Sequence, residues 1–360
     1  MKNNSLSVLF LYVLFISCSN TENNIIGENG KTFSEREIND VIELQGSPIP
    51  LDNVNNLIDI LVLPDQELLL AIDSEGEYVC KLYSLKNYKY IRSFFKRVNE
   101  TDSTSSVRIL GSNKIDWLYL LDLDKKNGYI YDLKVLNEYD SEIIPRNTVG
   151  FPYPDFGYKV IKLTNNDFFE LNGITDHEIN PFNLYDSVGN FVKSVGQFPT
   201  YDKYYKTFEL AQIFDGGINS FSSNKDTIVK VYYYTDIVEL VDTNGKLIAI
   251  RQGPDGLIPQ FKRVVKKPYS YLAPTNKSKL AYYGMPEFGN NSIYALYSGN
   301  NWSDTSQAFK IIAFDKQLTP KKLFKLNIPL TIFKIDEKRN TIYGISARHK
   351  RSVVVTHIPH

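Results

Sequence analysis

The chain has 360 residues, with 41 Lys+Arg balanced by 41 Asp+Glu, and two Cys, two Met and two Trp against 25 Tyr and 21 Phe. A formal charge of zero with no basic block excludes a nucleic-acid-binding design, because phosphate neutralisation supplies most of that affinity. Hydrophobic residues at 42% exclude wholesale disorder, and four His with two Cys leave little for a zinc site or a disulfide framework.

Lys2 gives a minimal positive n-region, and residues 6–16 (LSVLFLYVLFI) form an apolar run. Spanning roughly 30 Å of hydrocarbon takes about 20 helical residues. The run is too short for that and reads as the core of a signal peptide over residues 1–17. Ser17-Cys18 resembles a bacterial lipobox, in which the Cys is diacylated and becomes the first residue of the mature chain; Phe15 departs from the Leu preferred there. Cys18 is therefore the expected lipidation site. Residues 18–34 are then expected to be the lipidated Cys and a flexible tether, because SNTENNIIGENGKTFS carries little apolar surface. Cys80 remains as the thiol of the mature domain and, flanked by Tyr78, Val79 and Leu82, reads as a buried strand residue.

From residue 35 to 360 no stretch keeps a helical apolar period over three turns. Short β-rich runs separated by turn residues recur instead. Residues 39–44 (NDVIEL) form an isolated strand. Residues 58–73 (IDILVLPDQELLLAID) form a strand pair, followed by a hairpin at 82–95. Further hairpins start near residues 130, 184, 240 and 313, with Gly189 and Gly245 where a tight turn wants positive φ. The last interval is the longest, which places an insertion near residues 283–301. Residues 332–346 give another strand pair, and 352–358 (SVVVTHI) a strand without a hairpin partner.

Four antiparallel strands every 50–60 residues suit a propeller blade. Pairing 39–44 with 352–358 completes a sixth blade and removes both open sheet edges. The expected fold is all-β: a six-bladed β-propeller whose last blade is closed by an N-terminal strand.

The pattern FDKQLTPKKLFKLNIPLTIFKIDEKRNTIYGIS at 314–346, with RQGPDG at 251–256, resembles the TolB-like six-bladed propellers, in particular lipoproteins of Gram-negative bacteria. The resemblance runs from about residue 37 to the end of the chain. It implies a central channel and a loop-bearing face, and fold alone does not fix a ligand.

Signatures of catalysis are missing. There is no G-x-x-x-x-G-K-[ST], G-x-G-x-x-G or G-x-S-x-G, and His177, His349, His357 and His360 lack metal-ligand spacing. Residues 122–128 (DLDKKNG) echo a calcium loop, but Lys126 stands where an oxygen ligand belongs, and a hairpin explains them better. No metal ligand or cofactor is assigned.

Three aromatic stretches, 151–158 (FPYPDFGY), 198–208 (FPTYDKYYKTF) and 261–271 (FKRVVKKPYSY), read as crossings from one blade to the next, on the face around the channel mouth. Tyr153, Phe156, Tyr201, Tyr204, Tyr205 and Tyr269 are the candidate binding face, since Tyr offers a flat apolar ring with a hydroxyl. The alternative is that these rings pack between blades.

The sequence thus points to a monomeric, lipid-anchored module, outer-membrane or elsewhere in the cell envelope and facing periplasm or surface. It is expected to bind a protein, peptide or glycan, not nucleic acid. The competing expectation is a calcium-dependent hydrolase or lactonase centred on the channel.

Overall fold

The computed structural model describes residues 25–27, 30–97, 107–111, 117–122, 125–136, 143–150, 160–163, 167–171, 180–199, 205–214, 220–224, 227–267, 269–304 and 308–359. The leader and Cys18 lie outside the described residues.

Six four-stranded antiparallel blades follow one another along the chain. The first is built from Leu57–Leu63, Leu68–Asp73, Tyr78–Ser84 and Tyr90–Lys96; the second from Val107–Gly111, Trp117–Asp122, Asn127–Asp132 and Asn147–Gly150. The third is Val160–Lys162, Phe168–Leu171, Phe182–Tyr185 and Phe191–Val195; the fourth Ser220–Asn224, Thr227–Val231, Ile237–Asp242 and Leu247–Gln252. The fifth is Tyr282–Phe288, Ile293–Tyr297, Ala308–Phe314 and Pro320–Leu330. The sixth takes Ile332–Asp336, Thr341–Ile345 and Ser352–His357 from the end of the chain and Gly46–Pro50 from its beginning. The first strand of each blade lies beside that of the next, and the sixth returns to the first, so six innermost strands ring a central channel.

The two middle strands of each blade are covered on both faces and are correspondingly apolar: LLLAID at 68–73 and TIYGI at 341–345 are buried throughout. Every neighbouring pair of blades closes over its own apolar cluster. Between the first two blades it includes Leu70, Leu82, Phe94, Leu118 and Leu133; between the fifth and sixth it includes Leu296, Phe324, Leu330 and Phe333. Outer turns are made by the residues that spell them. Asp186 Oδ1 accepts the N–H groups of Val188 and Asn190, and Asp242 Oδ1 those of Asn244 and Lys246. Gly245 sits at φ 77°, where an L side chain is strained. The DLDKKNG segment joins the paired strands Trp117–Asp122 and Asn127–Asp132, as a hairpin should. Cys80 is fully buried, and burial pushes its thiol well above the ordinary range.

Four expectations are corrected. The ring is closed by an N-terminal strand, but the strand is Gly46–Pro50, paired antiparallel with Ser352–His357. Asp40–Leu44 runs instead parallel to Pro320–Leu330, as a fifth strand on the fifth blade. The insertion is not near 283–301, which belongs to the fifth blade. It is a two-stranded hairpin, Phe261–Lys266 with Tyr269–Pro274, placed between the fourth and fifth blades. In the second blade the strand near residue 130 does not lead into a tight hairpin: the helix Leu133–Leu136 intervenes, and the outer strand is Asn147–Gly150.

The fourth concerns the tether, which does not extend to residue 34. Ile25, Ile26 and Phe33 are buried, and Lys31–Thr32 pairs parallel with the outer strand of the fourth blade. Phe33 N–H donates to the Gln252 carbonyl at 3.0 Å. Gly253, inside RQGPDG, lies so close that a Cβ there would stand 2.3 Å from the Phe33 carbonyl oxygen. A short sequence that reads as a turn is thus the seat of the N-terminal segment. The cause is Ile25, Ile26 and Phe33: three large apolar side chains are enough to hold a polar stretch down.

Candidate binding site at the channel mouth

In each blade the crossing from the previous blade and the loop between the second and third strands share one end of the strands. The pairing of Leu57 with Asp73 in the first blade, and of Val107 with Asp122 in the second, fixes that geometry. These loops surround one mouth of the channel.

The channel wall carries charge on strands that are otherwise apolar. Asp59 lies on the innermost strand of the first blade, Arg108 on that of the second, Glu287 on that of the fifth and Lys334 on that of the sixth. Lys334 Nζ lies 2.5 Å from Glu287 Oε1, with the two side chains 15% and 18% exposed. Asp59 accepts the N–H of Ile60 at 2.9 Å and that of Ile109 at 3.4 Å. Burial raises the Asp59 carboxyl, opposed chiefly by the Lys334 charge. Burial also raises Glu287, and the Asp59 charge adds to that while Lys334 opposes it. For Lys334, burial favours the neutral amine, but the Glu287 and Asp59 carboxylates outweigh it and its pKa rises. The ammonium thus pairs with Glu287 and acts on Asp59 through its charge. Among the described residues no three His, Cys, Asp or Glu side chains are grouped as a metal would need.

Around the mouth the loops are pinned by carboxylates. Asp73 accepts the N–H groups of Asn55, Asn56 and Glu75, and the Lys81 ammonium at 2.5 Å. Burial would raise its pKa, yet those donors hold it below the usual carboxylate range. Asp236 accepts the N–H groups of Asp255 and Leu257, both at 2.7 Å, and so ties the RQGPDG crossing to its blade. Here burial wins over the hydrogen bonds and pushes the pKa up to about 6. Tyr297 OH donates to Asp255 at 2.7 Å and Tyr282 OH to the Gly253 carbonyl at 2.8 Å, completing the knot.

Rings run from the channel to the inserted hairpin. Tyr283, on the innermost strand of the fifth blade, lies 5.7 Å from Tyr233; Tyr233 is 4.9 Å from Tyr234, and Tyr234 is 5.1 Å from Phe261. Tyr234 and Tyr283 keep part of their surface in solvent. The run VYYYTD at 231–236 is the signal that sequence reading passed over, along with Asp59 within the apolar strand LIDILVL and Lys334 within IFKID.

Of the expected binding face, Tyr153, Phe156, Tyr201 and Tyr204 lie outside the described residues. Tyr205 packs, partly buried, on the apolar cluster that includes Ile25, Phe214 and Tyr232. Tyr269 opens the second strand of the hairpin, so the stretch 261–271 is not a simple crossing. Near that cluster, a depression of about 470 Å³ between the third and fourth blades is lined by Phe182, Phe198, Glu239 and Lys246, with Ile25, Ile26 and Gly27 along one wall. No helix among the described residues is long and apolar enough to cross a membrane.

No curated protein is significantly similar to this chain. Solved structures share its architecture at low identity. A Bacteroides fragilis protein provisionally described as exported is 12% identical with a TM-score of 0.50, over 92% of this chain and 99% of that one. A streptogramin B lyase is 10% identical with a TM-score of 0.46, over 88% and 98%. The β-propeller domain of Swd1 from Myceliophteria thermophila is 8% identical with a TM-score of 0.46, over 87% and 100%. The profile of the TolB-like six-blade propeller family matches residues 59–338, and the chain belongs to that family.

Proposed function

We propose that the protein is an exported, monomeric binding module, acylated at Cys18 and held in the cell envelope, that recognises a protein, peptide or glycan at the mouth of its propeller. The observation that carries the binding reading is the Lys334 ammonium paired with Glu287, its charge also acting on Asp59. A channel-centred metal hydrolase needs uncommitted carboxylates at that place, and Glu287 is already paired with a cation whose charge also acts on Asp59. The partly exposed rings of Tyr234 and Tyr283 supply an amphipathic surface suited to such a partner. Support for the envelope comes from the leader with Ser17-Cys18 and from the export description of the B. fragilis protein.

Two measurements test this. Cys18→Ala should abolish partitioning of the chain into a detergent phase, since dual acylation is what makes membrane attachment stable; unchanged partitioning would refute acylation. Melting of the domain should be the same with calcium and with chelator. A rise of several degrees with calcium would favour the hydrolase, for which Asp59 and Glu287 would then be the first ligands to test.

A further inference from the structure

The zero net charge of the chain hides a local excess. Residues 261–274 contain Lys262, Arg263, Lys266 and Lys267 and no acidic residue. They form the hairpin that stands outside the six blades. Cross-strand partners point to the same side, and sides alternate along a strand. Phe261, Arg263 and Leu272 therefore share the side turned to the helix Thr207–Phe214, where Arg263 pairs with Glu209 and the two apolar residues pack beside Leu210 and Phe214. The other side carries Lys262, Val264, Lys266 and Tyr271. Lys262, Lys266 and the turn residue Lys267 are exposed and Tyr271 is 42% exposed; Val265, on the side of Phe261 and Arg263 but near the tip, is 68% exposed.

The apolar cluster under this hairpin also holds Ile25 and Ile26. The chain thus meets the propeller beside the hairpin, and Cys18 precedes Ile25 by seven residues. Seven residues span at most about 25 Å fully extended. We infer that the hairpin rests, tip and lysine side down, on the bilayer that carries the chain's own anchor, with Lys262, Lys266 and Lys267 against anionic phospholipid headgroups, Tyr271 in the interfacial layer and Val265 entering it at the tip. The inference rests on the proposed acylation of Cys18. Basic residues are drawn to an anionic leaflet within a Debye length, and Tyr favours the headgroup level. The short tether makes the contact intramolecular, so even weak attraction suffices. An acidic protein could meet the same charges, but the tether brings lipid to this face whether or not a partner is present. The propeller is then not a freely swinging head: its fourth and fifth blades are the membrane-proximal ones.

The test uses the acylated full chain reconstituted into vesicles. Val265→Cys carries an environment-sensitive fluorophore; Asn87→Cys, on the exposed outer turn of the first blade at the opposite end of the strands, is the reference. Cys80 is buried and Cys18 acylated, so neither takes the label. With phosphatidylglycerol present, a headgroup-attached quencher should quench the label at 265 and spare that at 87. The quenching should be lost in phosphatidylcholine alone and in the Lys262→Glu, Lys266→Glu, Lys267→Glu variant, while vesicle flotation persists. Flotation with both labels equally unquenched overturns the hairpin contact and leaves acylation standing. A label at 265 open in vesicles yet shielded from a water-soluble quencher in whole envelopes points to an acidic protein and overturns the lipid assignment. Failure of the unaltered chain to float overturns acylation itself, and this inference with it.

Discussion

Lys334 and Glu287 face each other across neighbouring innermost strands, Nζ to Oε1 at 2.5 Å, on the wall of the channel. With Asp59 in the same field, the ammonium compensates two carboxylates that burial would otherwise protonate. Removing one partner of a buried pair leaves the other charge uncompensated, at about 3–5 kcal/mol. Lys334→Met should therefore lower stability by that order at pH 7. Both carboxyls have raised pKa values in the fold, and without Lys334 they rise further. The variant's deficit should accordingly shrink as pH falls and the two groups take up protons. Urea titrations at pH 7 and at mildly acid pH would check this; a deficit independent of pH would show that Lys334 acts through packing alone.

Asp236 gives a pH dependence of known sign. Its pKa rises from 3.8 unfolded to about 6 folded. The unfolded chain therefore releases this proton first, and the group's contribution to stability is greatest below pH 4 and is lost as pH climbs through 6. Two units correspond to on the order of 3 kcal/mol. Asp236→Asn lacks this titration, so wild-type stability relative to the variant should decline by roughly that amount between pH 4 and 7. A constant difference across the range would place the carboxyl's pKa near its ordinary value.

The N-terminal segment should matter to stability before the ring is reached. A chain beginning at Ile25 keeps the buried Ile25, Ile26 and Phe33, whereas one beginning at residue 35 loses all three. Each such side chain is worth roughly 1.5–3 kcal/mol. The second chain should melt well below the first, and one beginning after Pro50 should not fold, because it lacks the outer strand of the sixth blade. Equal melting of the first two would show that the segment is not held by these side chains.

Gly253→Ala should act through the same segment. The new methyl would meet the Phe33 carbonyl at 2.3 Å, at a φ of 154°. Its cost should be large in the chain that begins at Ile25 and smaller once Phe33 is removed, a non-additivity expected for neighbours in contact. Additive effects on melting would mean that Phe33 does not sit on Gly253.

Much of this architecture was legible because blades are local. Strands such as LLLAID and hairpins such as those built on Asp186 and Asp242 carry period, turn residue and apolar content within fifteen residues. The identity of the closing strand was not. GSPIP holds two prolines, which remove ladder donors and read as loop, yet they are tolerated on an edge, and the outermost strand of a blade is one. The more strand-like DVIEL was the natural choice, but nothing in it says that its partner is Pro320–Leu330, nearly the whole chain away. The channel charges were hidden for a similar reason. A charge such as Asp59 or Lys334 in a strand shows only that one side is wet, and which strands are innermost follows from the ring, not from the run. The hairpin at 261–274 passed for a crossing because the apolar residues of its first strand, Phe261, Val264 and Val265, do not alternate with polar ones as a half-buried strand would.

Before its first blade begins, the chain runs past three others in turn: Lys31–Thr32 on the fourth, Asp40–Leu44 on the fifth and Gly46–Pro50 on the sixth. All three landing places are made of residues more than 200 positions later in sequence. While the polypeptide is being synthesised, its residues 31–50 have nothing to settle on, and the first blade, although complete in itself, lacks the neighbour that Tyr343, Ile345 and Val353 provide. Assembly must then wait for the final strand, Ser352–His357, to arrive. Such a molecule stays unclosed until that last strand is made, the condition that the proposed export, through a pore able to admit only an extended chain, would demand.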